Sequence, residues 1–222
     1  MELASATYNR TSVAEGYGDS IRKRWIFYDL LTNKVADLAS AYLPEEGLVI
    51  DLGCGTGEVA KRLEPTLKIR DAKYIGVDQS EEMFSEASDW LTECDGRDRL
   101  ISFEIGDLRD RFRAGLPASV VILNLTLMYI PPEDRQFVVE AAYSSLSLGG
   151  ALIIADRVDR YSGYFSEVVR LSDKHDFFRS GMEFSRNLRV IGFERPLSEG
   201  LVSDMDEFFR VGEISGYIKI KG

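Results

Sequence analysis

The sequence predicts an α/β fold, a mainly parallel sheet with helices on both faces. Three observations carry that expectation. From Gly47 onward, short apolar runs alternate with amphipathic stretches. The runs are apolar almost throughout, as strands covered on both faces must be. Glycines and prolines fall between them, at Gly53–Gly57, Pro65 and Gly149-Gly150.

Taken in order, the chain opens with mixed aromatic and charged residues. A helical pattern follows through Ile26, Leu30, Leu31, Val35, Leu38 and Tyr42, mostly at three- and four-residue steps, and Pro44 ends it. GLVIDLGCG is a short strand running into glycines. Glu58 to Leu63 reads as a helix stopped by Pro65, because an interior proline removes a backbone donor and crowds the preceding turn. Tyr74–Asp78 is a buried strand, about Glu81–Leu91 a helix, and Leu100–Asp107 another strand. Val120–Leu125 is apolar enough to be central. A helix from about Glu133 to Leu146 leads through the glycine pair to the strand ALIIAD. In the tail, polar helices are expected through Tyr164–Arg170 and Phe184–Val190, with a final strand near Ser215–Lys221. The acidic stretch Ser203–Glu207 resembles a helix start with a serine cap. No repeat, low-complexity tract or linker divides the chain. One domain over 1–222 is expected, with an N-terminal helical arm over 1–45 and a variable substrate-side region over 157–212.

The 222 residues suffice for a single domain, and 45% hydrophobic with 29% charged residues excludes a wholly disordered chain. A net charge of -10 gives no general grip on a phosphate backbone, so direct nucleic-acid binding is disfavoured. With a single histidine, His175, no two-histidine metal site can form, and no metal is expected. Cys54 and Cys94 give neither a disulfide framework nor a CxxC zinc spacing, which fits a reducing compartment. The start MELASATYNR lacks a basic region followed by an apolar core, and no apolar run nears the roughly 18 residues of a membrane span. A soluble, cytoplasmic protein with no membrane partner is expected.

The most informative stretch is Val49-Ile50-Asp51-Leu52-Gly53-Cys54-Gly55-Thr56-Gly57. Alternate glycines after a strand let the backbone turn sharply and approach a ligand, with a helix starting just behind. Alone, such a loop is equally a plain strand-to-helix turn. The spacing is GxGxG, not the GxGxxG of dinucleotide folds, and no GK[ST] follows. Asp51 before the first glycine would repel a pyrophosphate but suits a ligand with an ammonium group and a sulfonium, such as S-adenosylmethionine (SAM). Asp78 ends the second strand, where a carboxylate can accept from both ribose hydroxyls of a nucleoside. Asp107 ends the third, placed to accept from an adenine amino group. Each alone could be a solvated strand-end acid; three at the carboxyl ends of successive strands point to a nucleoside site.

The set Asp51–Gly57, Asp78 and Asp107, with Leu146-Ser147-Leu148-Gly149-Gly150-Ala151-Leu152 before the fifth strand, resembles the class I SAM-dependent methyltransferase superfamily. That resemblance covers Gly47 to Asp156. It implies a Rossmann-like, seven-stranded sheet of order 3-2-1-4-5-7-6 with strand 7 antiparallel, SAM as cofactor and S-adenosylhomocysteine as product. A narrower likeness spans nearly the whole chain. Val13-Ala14-Glu15, Tyr28, Gly106-Asp107-Leu108-Arg109-Asp110, Leu123-Asn124-Leu125-Thr126-Leu127 with Pro132 and Arg135, Lys174-His175-Asp176-Phe177 and Gly192-Phe193-Glu194 are similar to carboxy-S-adenosylmethionine synthase. That family makes carboxy-SAM from SAM and prephenate for wobble-uridine modification in tRNA, and its likeness implies a homodimer. Two features depart from it. The loop is the methyltransferase-type GCGTG, and much of the segment carrying the arginine for the extra carboxylate is missing. Arg179, Arg186 and Arg189 lie in the shortened stretch, and a carboxylate buried without such a partner is costly.

By these resemblances the cofactor side comprises Asp51, Gly53, Cys54, Gly55 and Gly57 at the methionine end, Asp78, Gln79 and Met83 around the ribose, and Asp107 with Leu108 at the adenine. Tyr28 and Asn124 would line the same pocket, Asn124 nearest the sulfonium. His175 is a candidate general base or a polar helix residue, and Tyr129 an acceptor-facing group or a core aromatic. Trp25 and Phe27, with Tyr28, read as a lid over the nucleoside or as packing of the N-terminal helix, and for Trp25 and Phe27 packing is the preferred reading. Arg22-Lys23-Arg24 reads as a solvated helix face or as a contact for an anionic substrate. Cys54 has no adjacent His or Lys to support a thiolate and reads as packing in the loop. The function expected is methyl transfer from SAM to a small-molecule acceptor. Carboxy-SAM synthesis and a non-catalytic SAM-binding subunit are the alternatives.

Overall fold

Five parallel strands, formed by the apolar runs in the order 3-2-1-4-5, make the centre of the sheet. The structure is a computed structural model and describes residues 21–22, 27–93, 100–108, 117–159, 197–211 and 214–222. Helix α1 (Tyr28–Tyr42) precedes β1 (Leu48–Leu52); α2 (Glu58–Arg70) leads to β2 (Lys73–Asp78), and α3 (Glu81–Glu93) to β3 (Ile101–Ile105). Strand β4 (Ala118–Asn124) passes through a 3₁₀ turn (Leu127–Tyr129) into α4 (Pro132–Ser144) and β5 (Leu146–Asp159). The chain ends in β6 (Leu197–Ser198), β7 (Asp206–Val211) and β8 (Ile214–Ile220). The path across the sheet is β3-β2-β1-β4-β5-β8-β7, with β8 antiparallel to both neighbours. Apart from β6, a two-residue strand beside the end of β5, this is the order and the antiparallel strand that the resemblance implies.

Side-chain alternation along each strand sorts the core into two layers. One holds Val49, Tyr74, Val120, Ile122 and Ile153 against Leu31, Val35 and Ala39 of α1 and Val59, Leu63 and Leu67 of α2. The other holds Leu52, Val77, Val121, Leu123 and Ile154 against Val138 and Ala142 of α4. Helices therefore cover both faces, as continuous apolar strands require. No helix among the described residues is long and apolar enough to cross a membrane.

Four local expectations are corrected. Pro65 does not stop α2; it sits inside a helix that runs on to Arg70. Pro65 is exposed while Leu67, just beyond it, is fully buried with Val59, Ala60 and Leu63. Burying that leucine, worth about 1.5–3 kcal/mol, offsets the roughly 3 kcal/mol an interior proline costs. Ser203–Glu207 begins no helix. A 3₁₀ turn over Glu199–Val202 gives way to β7, because Glu207 pairs with Tyr217 of β8 and the Phe208 ring closes over Gly216. Two boundaries also move: β3 ends at Ile105, leaving Asp107 in the following loop, and α4 ends at Ser144. The expected helices at 164–170 and 184–190 lie outside the described residues.

If tertiary burial carries α2 across Pro65, then Pro65→Ala restores a backbone donor at no packing cost. Urea unfolding should show the variant more stable by about 1–3 kcal/mol. An unchanged or lower midpoint would mean that the proline is tolerated for another reason.

Candidate functional site

At the end of β1 the chain turns back over β2. The Gly53 and Cys54 amides both donate to the Val77 carbonyl, at 2.7 and 3.1 Å. Gly53, Gly55 and Gly57 all adopt left-handed backbone, with φ of 75°, 53° and 75°, a region that costs other residues about 1–2 kcal/mol each. Their surroundings differ. A Cβ at Gly53 would lie 2.4 Å from the Thr126 side chain and one at Gly57 2.9 Å from the Phe103 ring, but one at Gly55 would meet nothing within 4 Å. The outer glycines are held by protein, and the middle one faces open space.

Asp51, Asp78 and Asn124 follow Val49, Tyr74 and Ile122 at alternate positions, so all three project to the α1 side at the carboxyl ends of adjacent strands. Asp51 is 1% exposed. The Tyr74 hydroxyl donates to its Oδ2, while Oδ1 has no partner. Burial pushes the Asp51 pKa up to about 7, against the Tyr74 hydrogen bond and with help from the Asp78 charge. Asp78 Oδ2 accepts from the Gly55 amide and Oδ1 from the Ser80 amide, each at 2.9 Å. Burial still leaves its pKa raised. Asn124 Oδ1 is a second buried oxygen without a partner.

The Gly106 amide donates to the Asp78 carbonyl at 2.8 Å, which brings the loop of Asp107 and Leu108 beside the second strand. Leu108 packs against the α4-side layer. Gln79 is exposed just past Asp78. Met83 is buried in α3, its amide donating to Ser80 Oγ at 3.3 Å. Burial, with Asp78 and Asp51 nearby, pushes the Cys54 thiol well above its ordinary value. That shift favours the protonated thiol.

Tyr28 is buried in the α1-side layer, with the Arg22 guanidinium 5.7 Å above its ring. Arg22, part-exposed, pairs with Asp29 at 3.0 Å and Glu58 at 2.6 Å. Lys61 and Arg62 also bind Glu58, each at 2.9 Å. Burial raises the Glu58 pKa, but these partners outweigh it and bring it down to about 2. This cluster fastens the start of α1 to the helix behind the glycine loop. Phe27 is exposed; Trp25, Lys23, Arg24, His175, Arg179, Arg186 and Arg189 lie outside the described residues. Tyr129 packs against the same layer as Tyr28.

Four residues escape the sequence reading as parts of the site. Tyr74 is one. Thr126 Oγ1 donates to the Leu52 carbonyl at 2.9 Å, joining the glycine loop to the end of β4. Arg135, buried, donates to the carbonyls of Ile130 at 2.9 Å and Met128 at 3.3 Å. Asp156, also buried, accepts from the Met128 amide at 3.2 Å and the Arg157 amide at 2.7 Å. Together they hold the turn that carries Tyr129. The signals available were the resemblance, which includes Thr126 and Arg135 without giving either a role, and Asp156 itself, a fourth acid at a strand's polar end.

Chemically, the crevice offers bare oxygen acceptors and two carboxylates, which suits a cationic ligand with hydroxyl and amino donors. Among the described residues no cluster of three or more His, Cys, Asp or Glu could hold a metal.

Two outcomes test this geometry. Gly53→Ala should cost several kcal/mol in thermal or urea unfolding, since it meets both Thr126 and a left-handed backbone, whereas Gly55→Ala should cost only about 1–2 kcal/mol. Similar losses would contradict the packing difference. The second concerns pH. Folded pKa values of about 7 for Asp51 and about 6 for Asp156 exceed the 3.8 of a free side chain. Both stabilise the ligand-free protein fully below about pH 4, and that contribution is lost as pH rises through 6 and 7. Asp51→Asn should flatten this decline and raise the ligand-free Tm at pH 8 by about 2–4 °C or more.

Comparison with known proteins agrees with this architecture. Residues 49–150 match the methyltransferase domain family. The carboxy-S-adenosyl-L-methionine synthase of Shewanella sp. (strain ANA-3) is 32% identical over 146 residues, 66% of this chain and 59% of that protein. The chain thus spans about three-fifths of the length of that curated relative. An O-methyltransferase family protein from Burkholderia thailandensis superposes with a TM-score of 0.65 at 21% identity, over 97% of this chain and 61% of that one. Human N-acetylserotonin methyltransferase in complex with SAM gives 0.63 at 18% identity, over 100% and 59%. With its sheet order and glycine loop the chain has the Rossmann-like fold of these neighbours, and its match to the methyltransferase domain family spans residues 49–150.

Proposed function

We propose that the chain is a SAM-dependent methyltransferase acting on a small-molecule acceptor. The observation that carries this reading is the pair of buried, unpartnered oxygens, Asp51 Oδ1 and Asn124 Oδ1, on one sheet face beside a glycine that opens onto free space. Buried acceptors without donors are rare in folded proteins and call for a partner. SAM fits them: it carries an ammonium group, a sulfonium, ribose hydroxyls and an adenine amino group, all donors or cations. When bound, it supplies a methyl group already activated for transfer.

The chain's task is then positional. Asp51 and the glycine loop hold the methionine end, with Cys54 packing the loop from behind. Asp78, already at the mouth of the loop, takes the ribose hydroxyls beside Gln79, with Met83 backing the helix below. Asp107 and Leu108 receive the adenine, and Asn124 and Tyr28 wall the reacting end. Tyr129 and His175 belong to the acceptor side, where a base is needed only if the acceptor must lose its proton. Aligning the acceptor with the methyl carbon is the main source of rate, and closure against water assists it. A net charge of -10 favours a small molecule over nucleic acid as that acceptor.

The test begins by denaturing protein purified from cells and weighing the released nucleoside. SAM or S-adenosylhomocysteine is expected. A carboxylated SAM would move the assignment to carboxy-SAM synthesis. Titration calorimetry with S-adenosylhomocysteine then checks the residues: Asp78→Ala should weaken binding about 10- to 100-fold, the worth of hydrogen bonds to a charged group. An empty protein that binds no added cofactor would overturn the reading.

A further inference from the structure

Within that ligand site, one buried side-chain hydrogen bond joins β2 to β1. Tyr74 is fully buried in β2, and its hydroxyl donates across to Asp51 Oδ2 on β1. Its ring is held edge-on by Phe103, at 6.2 Å between centroids and 71° between planes. Phe103 in turn lies under both Gly57 and Gly76. Burial and the neighbouring Asp51 push the Tyr74 hydroxyl well above its ordinary pKa, so it keeps its proton and stays a donor. The consequence for Asp51 is asymmetric: one oxygen is satisfied and fixed, and the other is buried with no partner.

We propose that Tyr74 is a positioning residue for cofactor binding: its hydroxyl pins one oxygen of Asp51 and leaves the other bare for the ligand's ammonium group. The proposal rests on the SAM-site reading above and adds to it a residue and a proton linkage. Among the described residues, the titratable groups that bear on Asp51 are Tyr74 and Asp78 of β2 and the Cys54 thiol of the loop. None of them is a cation. Without ligand, burial therefore favours the protonated carboxyl, with a pKa of about 7. An ammonium group requires the carboxylate, so binding expels a proton and strengthens as pH rises. Removing the Tyr74 hydroxyl takes away a bond that favours the charged form, which shifts the whole dependence to higher pH.

The experiment is titration calorimetry of the full chain with S-adenosylhomocysteine from pH 5.5 to 8.5, in buffers of different ionisation enthalpy. The wild type should bind more tightly as pH rises through about 7 and release a proton below it. Tyr74→Phe keeps the ring; near neutral pH it should bind about three- to tenfold more weakly, with the gap narrowing toward pH 8.5. Asp51→Asn should bind weakly with little pH dependence. If Tyr74→Phe matches the wild type at every pH, or is weaker by one constant factor throughout, Tyr74 does not act through Asp51 and the proposal fails. A wild-type curve that is flat with no proton release also overturns it, independently of any variant. Asp51→Asn binding as tightly as wild type would instead remove Asp51 from the site, and no binding by any form would sink the SAM reading itself.

Discussion

Asp51 lies at the carboxyl end of a central strand with one oxygen held by Tyr74 and the other held by nothing. A buried carboxylate in that state costs several kcal/mol unless it takes up a proton or a partner. Below about pH 7 burial favours the first course in the ligand-free protein, and a ligand ammonium would supply the second. The surrounding structure keeps this choice open. Parallel pairing of β1 with β2 and β4 brings Asp51, Asp78 and Asn124 to one edge of one face. Thr126 ties the loop to β4, and the Glu58 cluster ties α1 to the helix behind it. These contacts keep the crevice in place while its acceptors stay unfilled.

The parts legible in the sequence are those whose evidence is local. A strand end, an acid and three alternate glycines fall within seven residues, so Asp51 to Gly57 could be read directly, and Asp78 followed from the same pattern one strand later. The sheet order came with the resemblance those residues support. The illegible parts depend on contacts between distant segments. Tyr74 looked like apolar filling of a buried strand, because its partner Asp51 lies on another strand. Thr126 stood in the sequence only within the stretch Leu123–Leu127 that carries the resemblance; its bond to the Leu52 carbonyl and its contact with Gly53 exist only once β4 lies beside β1. Pro65 and Ser203–Glu207 misled for the complementary reason: a true local preference was outweighed by the burial of Leu67 and by pairing with β8.

Two reactions can be built on such a platform, because the groups that hold SAM do not depend on what happens at its sulfonium. Methyl transfer needs an acceptor in line with the methyl carbon. Carboxy-SAM synthesis needs a guanidinium for a new carboxylate, since a buried anion requires a partner. The residues matched to the methyltransferase domain, 49–150, hold the shared part. By the resemblance, the chemistry that separates the two would come from the sequence after β5, where Arg179, Arg186 and Arg189 are the candidate cations.

A crystal structure of the protein with S-adenosylhomocysteine tests the Asp51 assignment most directly. The expected map shows the ligand's ammonium nitrogen about 2.7–2.9 Å from Asp51 Oδ1, the distance of a charge-assisted bond, with the Tyr74 hydroxyl still on Oδ2. A ligand seated elsewhere, or seated in the crevice with Asp51 Oδ1 still unpartnered, would contradict it.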